Sequence, residues 1–300
     1  MRFELTTDQR DFAASLDALL SAADSVAAAR SWAAGDHAPG LALWERLAEQ
    51  GLTMLATEAT PVELCVAFEA LGRHAVPGPW VEAAAYLPVA LGREVEGVAT
   101  VAAPGTTTAL DADVAAEVYA ADGSALRSAT AGAVEASVDR ARHLVEVTPG
   151  DPVEASGDLA AAYDLAVLAT AAQLLGAGER VLADAVTYVK QRKQFGREIG
   201  SYQAIKHKLA DVRIALDFAR PLVYGAALDP TPRSVSAAKV ACADAAYLAS
   251  RTGLQVHGAI GYTQEFDLSV WITKIRALVT AWGTPAAHRA RILDSLVGSA

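Results

Sequence analysis

Two long helical patterns separated by a short loop constrain this chain most. The first runs from Asp158 to about Arg192, and the second covers residues 201–227. Helices of this length joined so closely must run antiparallel and pack along each other, so they predict an up-and-down helical bundle. The loop and the helix ends beside it, Tyr188 to Gln203, contain arginine, aromatic and glutamine residues together with two glycines.

The remaining sequence divides the 300-residue chain into three parts. Residues 1–91 predict an N-terminal helical domain, whose first helix begins with a capping box of Thr6 and Gln9. Residues 92–157 are rich in Val, Thr, Gly and Asp and predict a small β domain of at most about five or six strands. Residues 158–300 predict a C-terminal helical bundle. The fold class is therefore mainly α with a small β domain in the middle.

Small residues set several of the expected helix ends. Gly72 is the expected C-cap of a helix that covers about residues 62–71. Ser201 is the expected N-cap of the second long helix. The next helix begins after Thr231 and is expected to end near Ser250, because Gly253 indicates a turn there.

Composition narrows the classes of function. The chain is 53% hydrophobic, which is enough for a sizeable core, and its formal charge of −10 without a Lys/Arg run argues against a nucleic-acid partner. Cys65 and Cys242 lie in apolar helical patterns, so we expect buried thiols. Met1 to Leu5 resemble no signal peptide, and Asp164 interrupts the apolar run from Leu159 to Ala172. We expect a soluble, cytoplasmic protein without a membrane partner.

The loop resembles the signature of the acyl-CoA dehydrogenase family. In that family a helix ends in Tyr-x-x-x-Arg-x-x-Phe-Gly, followed by Ile and by a helix that opens with Gln. The matching residues here are Tyr188, Arg192, Phe195, Gly196, Ile199 and Gln203. Residues 255–263, Gln-Val-His-Gly-Ala-Ile-Gly-Tyr-Thr, are close to the family's second signature, Gln-x-His-Gly-Gly-x-Gly-Tyr-Thr.

The resemblance implies a flavoprotein built of a helical domain, a β domain and a C-terminal four-helix bundle, and compared with the family the β domain here is truncated. It also implies that the protein forms dimers or tetramers and binds FAD across a subunit interface. It implies that a set of residues from both signatures contacts the FAD of a neighbouring subunit: Arg192, Phe195, Gln203, Gln255, His257, Gly258 and Ala259. A guanidinium suits the pyrophosphate, an amide suits ribose or adenine edges, and an aromatic ring packs on adenine. Glycines let the backbone approach the cofactor.

Each of these residues has a structural alternative. Arg192 can compensate the dipole at the end of its helix. Gly196 and Gly200 can be turn residues, and Gln203 an exposed first-turn residue. For His257 we favour a hydrogen-bonded structural role over a catalytic one.

The chain departs from the family at the catalytic base. Most members carry a glutamate before a Gly-Thr pair, and Trp282 stands at that position; a minority carry it on the long helix, where Ala166 aligns. Neither side chain can accept a proton, so no catalytic residue is assigned. Residues 92–157 also lack the family's Thr-Glu-Pro-like stretch, its Gly-Ser pair and its Trp-Ile-x-Asn-like strand, which cradle the flavin.

These departures resemble the non-catalytic subunit of heterotetrameric acyl-CoA dehydrogenases from bacterial steroid and cholesterol catabolism. The implied partners are a catalytic subunit, a bulky steroid-derived acyl-CoA substrate and an electron-transfer acceptor. Two other hypotheses remain open. One is a self-sufficient flavoenzyme with a relocated base at Glu265, Glu135 or Glu146, which are more simply explained as solvated acids. The other is a scaffold subunit that binds no flavin.

Overall fold

The N-terminal region of the chain is helical, as predicted. A computed structural model describes residues 4–297, so Met1 to Phe3 and the last three residues of the predicted C-terminal domain lie outside the described part. The capping box is present, since the backbone nitrogen of Gln9 donates to Thr6 Oγ1 at 3.2 Å and the nitrogen of Thr6 donates to Gln9 Oε1 at 2.9 Å. The helices are α1 (Thr7–Ala22), α2 (Ser25–Ala33), α3 (Ala38–Glu49), α4 (Leu55–Glu58), α5 (Pro61–Arg73) and α6 (Leu87–Leu91), which a π-helical turn (Glu82–Tyr86) precedes.

A single five-stranded sheet follows, within the predicted number of strands. Its strands are β1 (Ala99–Ala102), β2 (Thr108–Leu110), β3 (Glu117–Ala121), β4 (Leu126–Glu135) and β5 (Leu144–Pro152). Their spatial order is β1-β3-β4-β5-β2, with β1 and β3 parallel and the other described pairs antiparallel. Residues 130–135 of β4 and residues 148–152 of β5 are exposed, and because the two strands are antiparallel these segments lie at opposite ends of the pair.

The C-terminal region returns to helices. They are α7 (Leu159–Gln191), α8 (Gln203–Leu228), α9 (Pro232–His257), α10 (Leu268–Leu278) and α11 (Pro285–Val297). The short strands β6 (Lys193–Gln194) and β7 (Arg197–Glu198) form a hairpin between α7 and α8. The predicted fold class, mainly α with a small β region, is confirmed.

Helix α7 lies at the centre and packs against α5, α8, α9 and α10. It is long and apolar enough to cross a membrane, as is the bent pair of α1 and α2 taken together. Most of the apolar surface of α7 is buried inside the protein, which is typical of the core helix of a globular fold. Cys65 and Cys242 are both buried free thiols, as expected.

Two glycines predicted to end helices instead lie inside them. Gly72 belongs to α5, and a Cβ at this position would lie 2.0 Å from the carbonyl oxygen of Gln173 on α7. Gly253 belongs to α9, and a Cβ there would lie 2.6 Å from Val181 on α7. Both glycines permit close packing of their helices against α7. Because Gly253 lies inside α9 and does not end it, this helix continues past Ser250 to His257.

The predicted N-cap at Ser201 is also wrong. Ser201 lies in a single 3₁₀ turn, and its hydroxyl donates to the carbonyl of Glu198 at 2.6 Å. Helix α8 begins two residues later, at Gln203, and Tyr202 is its N-cap without a side-chain hydrogen bond. The Ser201 side chain therefore bonds within the loop and does not cap α8.

Candidate functional site

The α7–α8 loop is a hairpin that holds an aromatic side chain out into solvent. Phe195 and Gly196 occupy its tip with positive φ values of 53° and 79°, which is the pattern of a type I′ turn. Phe195 is 92% exposed. A bulky residue in this conformation is strained, and an exposed phenyl ring adds unfavourable hydration, so folding alone does not explain phenylalanine here.

A basic surface surrounds this tip, although the chain as a whole is acidic. Between positions 190 and 208 there are six Lys or Arg residues and one acid, Glu198. Arg192 and Gln203 are exposed, and neither side chain has a polar partner among residues 4–297. Arg197 lies over the Tyr202 ring, with 4.0 Å between the guanidinium carbon and the ring centroid. The loop thus offers donors and positive charge to an anionic group.

The second predicted segment lies beside this loop. The ring of His257 stacks on Tyr188 with 4.2 Å between centroids, and Lys208 Nζ donates to Gln255 Oε1 at 2.9 Å. Val189 and Val256 join the same small apolar cluster. Residues 255–259 and the α7–α8 loop therefore form one surface, although Tyr188 and His257 are 69 positions apart in the chain.

The residues of this second segment differ in whether a ligand can reach their side chain or backbone. His257 is buried, and its Nδ1 donates to the carbonyl of Gly253 at 2.7 Å, so its ring is held in the packing. Gly258 has φ 62° and ψ −139°, a conformation essentially restricted to glycine. Gly258 and Ala259 are exposed, and nothing lies within 4 Å of where a Cβ of Gly258 would be. The backbone at these two positions is accessible to a ligand.

The arrangement fits one half of an FAD molecule. Arg192 suits the pyrophosphate, Phe195 presents a free ring face, and the open backbone at Gly258 and Ala259 permits close approach. All of these groups face outward from the chain, so they suit a cofactor held largely by another subunit. Their role in FAD binding is a prediction that this geometry supports.

Both predicted base positions are buried. Trp282 has φ 54°, its indole nitrogen donates to Glu82 Oε1 at 3.2 Å, and its ring packs on Tyr86 with centroids 4.9 Å apart. Its carbonyl accepts from the Tyr163 hydroxyl at 3.1 Å and from His288 Nε2 at 2.9 Å. Ala166 is fully buried within α7. A tryptophan thus fills the place where the family most often carries its glutamate.

The loop that carries Trp282 is anchored by a buried lysine. Lys239 Nζ donates to the carbonyls of Leu278 and Val279, each at 3.0 Å, and to that of Gly283 at 3.4 Å. Burial lowers the pKa of Lys239 to about 7. The loop is therefore fixed in place rather than free to present a different residue.

Glu82 was not foreseen from the sequence. It lies in the π-helical turn, it is buried, and its Oε2 has no hydrogen-bond partner among the described residues. Burial raises the pKa of this carboxyl, although the charges of Arg142 and Lys274 oppose the rise. The one sequence signal was a single acid inside the apolar run from Trp80 to Tyr86. By contrast, Glu265, Glu135 and Glu146 are exposed.

Comparisons with known proteins agree with this fold. The family described as "Acyl-CoA dehydrogenase, C-terminal domain" matches residues 162–297. The acyl-CoA dehydrogenase IpdE2 of Mycobacterium tuberculosis is 31% identical over 271 residues, which cover 83% of this chain and 84% of that protein.

Two solved structures share the fold at lower identity. The ChsE4-ChsE5 complex from Mycobacterium tuberculosis has a chain with a TM-score of 0.82 and 20% identity, covering 99% of both chains. The structure described as the Tcur3481-Tcur3483 steroid ACAD has a TM-score of 0.82 and 21% identity, covering 97% of this chain and 98% of that one.

Proposed function

This chain belongs to the acyl-CoA dehydrogenase family, and from that premise we propose that it is the non-catalytic subunit of a heteromeric, FAD-dependent acyl-CoA dehydrogenase. It would complete the FAD site of a catalytic partner subunit and supply no base. The observation that carries this proposal is a contrast between two places in the chain. Phe195 and Arg192 are exposed, and the Arg192 side chain has no polar partner among residues 4–297, whereas Trp282 fills the position of the usual base.

The family typically uses FAD, and the chemistry that FAD supplies is acceptance of a hydride from the acyl thioester. Residues of this chain contribute binding and orientation. Arg192 would neutralise charge on the pyrophosphate, and the amide of Gln203 would bond to the ribose or adenine edge. Phe195 would pack against the adenine, and the open backbone at Gly258 and Ala259 would leave room for the cofactor.

The proton at the α-carbon of the substrate is removed by the partner. Trp282 and Ala166 have no proton acceptor, and the indole N–H of Trp282 is already donated to Glu82. The partner therefore carries the glutamate. Electrons leave the complex through an electron-transfer acceptor that docks on the assembled enzyme.

An exposed apolar surface supports assembly with another subunit. Ile214, Phe218 and Leu222 recur every fourth residue on α8 and are 43–73% exposed. Tyr247 and Leu248 of α9, which packs along α8, are exposed as well. Apolar side chains in such number on adjacent helices are typical of a subunit interface.

We assign a bulky, steroid-derived acyl-CoA as the substrate class and a heterotetramer, with two copies of each subunit, as the assembly. Support comes from the likeness to a solved complex of two different chains and to a structure described as a steroid ACAD. Fewer complete sites per assembly leave more room for a polycyclic acyl group. We place the assembly in the cytoplasm, with no nucleic-acid or membrane partner.

One observation favours a second candidate, a self-sufficient enzyme with a relocated base. Glu82 lies next to the usual base position with a raised pKa, which is a property of many catalytic acids and bases. Its burial beneath Trp282 argues against this role. A Glu82→Gln variant of the purified chain would lose turnover under the second candidate and would change nothing under the first, because the chain alone is inactive.

The direct test compares flavin content and turnover with and without a partner. The chain is expressed alone and together with an acyl-CoA dehydrogenase from the same genome that has Glu at the position of Trp282. We expect a colourless protein alone, and a yellow complex with fewer FAD molecules than chains that reduces an artificial electron acceptor when given an acyl-CoA. Full FAD occupancy and turnover by the chain alone would refute the proposal.

A further inference from the structure

Three potential metal ligands meet at a place that the proposed function does not use. His37 immediately precedes α3, Asp113 lies in the turn between β2 and β3, and His143 immediately precedes β5. His143 Nδ1 lies 2.9 Å from Asp113 Oδ2 and 3.4 Å from His37 Nε2. The distance from His37 Nε2 to Asp113 Oδ2 is 3.8 Å. The side chains of His37, Asp113 and His143 are 17%, 25% and 15% exposed, and Asp113 is an exposed residue overall.

The spacing of these atoms matches the coordination sphere of a small divalent ion. The three distances form a triangle, and the point equidistant from its corners lies about 2.0 Å from each atom. Zn–N bonds are about 2.0–2.1 Å long and Zn–O bonds to carboxylates about 2.0–2.2 Å. An ion slightly out of the plane of the three atoms would therefore bond to all of them without any movement of the backbone.

Hydrogen bonds within the trio do not satisfy all three of its potential ligand atoms. The Nδ1 hydrogen of His143 can serve Asp113 at 2.9 Å, but His37 Nε2 then faces another ring nitrogen at 3.4 Å. The distance of 3.8 Å from His37 Nε2 to Asp113 Oδ2 is too long for a hydrogen bond. A cation would engage all three atoms at once.

The surrounding structure holds the ligands in position. Asp111 Oδ1 accepts from the backbone nitrogen of His143 at 3.0 Å and from the indole nitrogen of Trp32 at 3.1 Å. The backbone nitrogen of Asp111 donates to the carbonyl of His143 at 2.7 Å. The Trp32 ring in turn packs edge-on against His37, with centroids 4.6 Å apart. A buried Asp–Trp pair thus ties the segments that carry all three ligands, which is the kind of support that metal sites require.

We propose that His37, Asp113 and His143 bind a divalent transition-metal ion, best Zn²⁺, with water as the fourth ligand. Two imidazoles and one carboxylate suit zinc and other first-row divalent ions. His37 comes from the N-terminal helices, whereas the other two ligands come from the β region. The ion therefore acts as a structural link between these two regions and is independent of the flavin surface.

The test measures zinc bound to the full-length chain, in its partner complex where that is needed for solubility. The protein is stripped with a chelator, incubated with ZnCl₂, desalted and analysed for metal by mass spectrometry. We expect one zinc per chain, and at least about a tenfold loss of retained zinc in each of His37→Ala, Asp113→Ala and His143→Ala. His207→Ala, an exposed histidine on α8, should retain it fully.

A failure to retain zinc in the wild-type protein would overturn the proposal, as would full retention in the His143→Ala variant. If the variants do not fold, the wild-type protein loaded with Co²⁺ decides the question. We expect the intense visible bands of a four-coordinate Co²⁺ site with nitrogen and oxygen ligands, displaced by one equivalent of zinc. The weak spectrum of hydrated Co²⁺ would contradict the site.

Discussion

The indole nitrogen of Trp282 donates to Glu82 Oε1 across 3.2 Å, joining residues 200 positions apart in a buried pair. This pair closes the place where most members of the acyl-CoA dehydrogenase family carry their base. The carbonyl of Trp282 is bonded to Tyr163 and His288, so the backbone of the loop is held as firmly as the side chain. Trp282 is therefore held in the packing by its side chain and by its backbone.

It follows that restoring the glutamate will not restore an enzyme. Trp282→Glu should lower the free energy of unfolding by about 3–5 kcal/mol, because it removes a buried indole and places a second carboxyl beside Glu82. The purified variant should show no acyl-CoA-dependent reduction of an artificial acceptor. Trp282→Phe keeps most of the side-chain volume but leaves Glu82 Oε1 without its hydrogen-bond donor. This variant should lower the free energy of unfolding by about 1–3 kcal/mol. Denaturant unfolding measures both values, and turnover by the first variant would contradict this account.

The stability of the chain should fall in mild acid because of His288. Burial lowers the pKa of this imidazole to about 4, against 6.5 when it is unfolded. Between these values the unfolded chain binds a proton that the folded chain excludes, so stability rises with pH through this window and is lost as pH falls. The expected contribution is at most about 3 kcal/mol. Unfolding free energies from pH 4 to 7 should show a shallower slope for His288→Gln than for the wild type.

Replacing Phe195 should have different effects on the stability of the chain and on cofactor binding. Its positive φ suits glycine, so Phe195→Gly should leave the isolated chain equally stable or stabilise it by up to about 1 kcal/mol. The same variant in the partner complex should retain less FAD, since the ring face is lost. Thermal unfolding of the chain and flavin absorbance of the complex measure the two effects. A clear loss of stability in the isolated chain would mean that Phe195 serves the fold instead.

The exposed residues of α8 should govern assembly. Phe218 is 73% exposed and has no role in the core, so Phe218→Asp should leave the fold intact. In an apolar interface the new charge is desolvated without a partner, and association with the catalytic subunit should weaken at least about tenfold. Sedimentation velocity of the co-expressed proteins measures this change. Arg46→Asp, an exposed substitution on α3, should assemble normally.

The features that could be predicted from the sequence are those that depend on neighbours along the chain. The Thr6–Gln9 capping box, the extent of α7 and the short loop between α7 and α8 all follow from local patterns, although the β-hairpin within that loop was not predicted. Gly72 and Gly253 were misassigned because the reason for each glycine is a contact with α7, over 70 positions away in the chain. Local sequence shows that a Cβ is absent but not what requires its absence.

Contacts between residues far apart in the chain also limit what could be predicted about the candidate site. The α7–α8 loop and segment 255–259 could be selected from the sequence because each carries a short motif, and the structure places the two segments side by side. Their role in FAD binding stays a prediction. The partner of Glu82 lies 200 positions away, and the trio of His37, Asp113 and His143 spans more than 100 positions without any ligand-like spacing. Only the packing of three separate segments brings that trio together.

The central claim, that this chain serves a flavin site on another subunit, rests most directly on Arg192. The decisive measurement is the ratio of FAD to chains in the partner complex, with wild-type chain, with Arg192→Ala and with the exposed control Arg46→Ala. The account predicts that Arg192→Ala lowers flavin content at least about tenfold, as expected when a charge-assisted contact to the pyrophosphate is lost, while assembly and the control are unchanged. An unchanged flavin content in an intact Arg192→Ala complex would contradict it and would favour a scaffold subunit that binds no flavin.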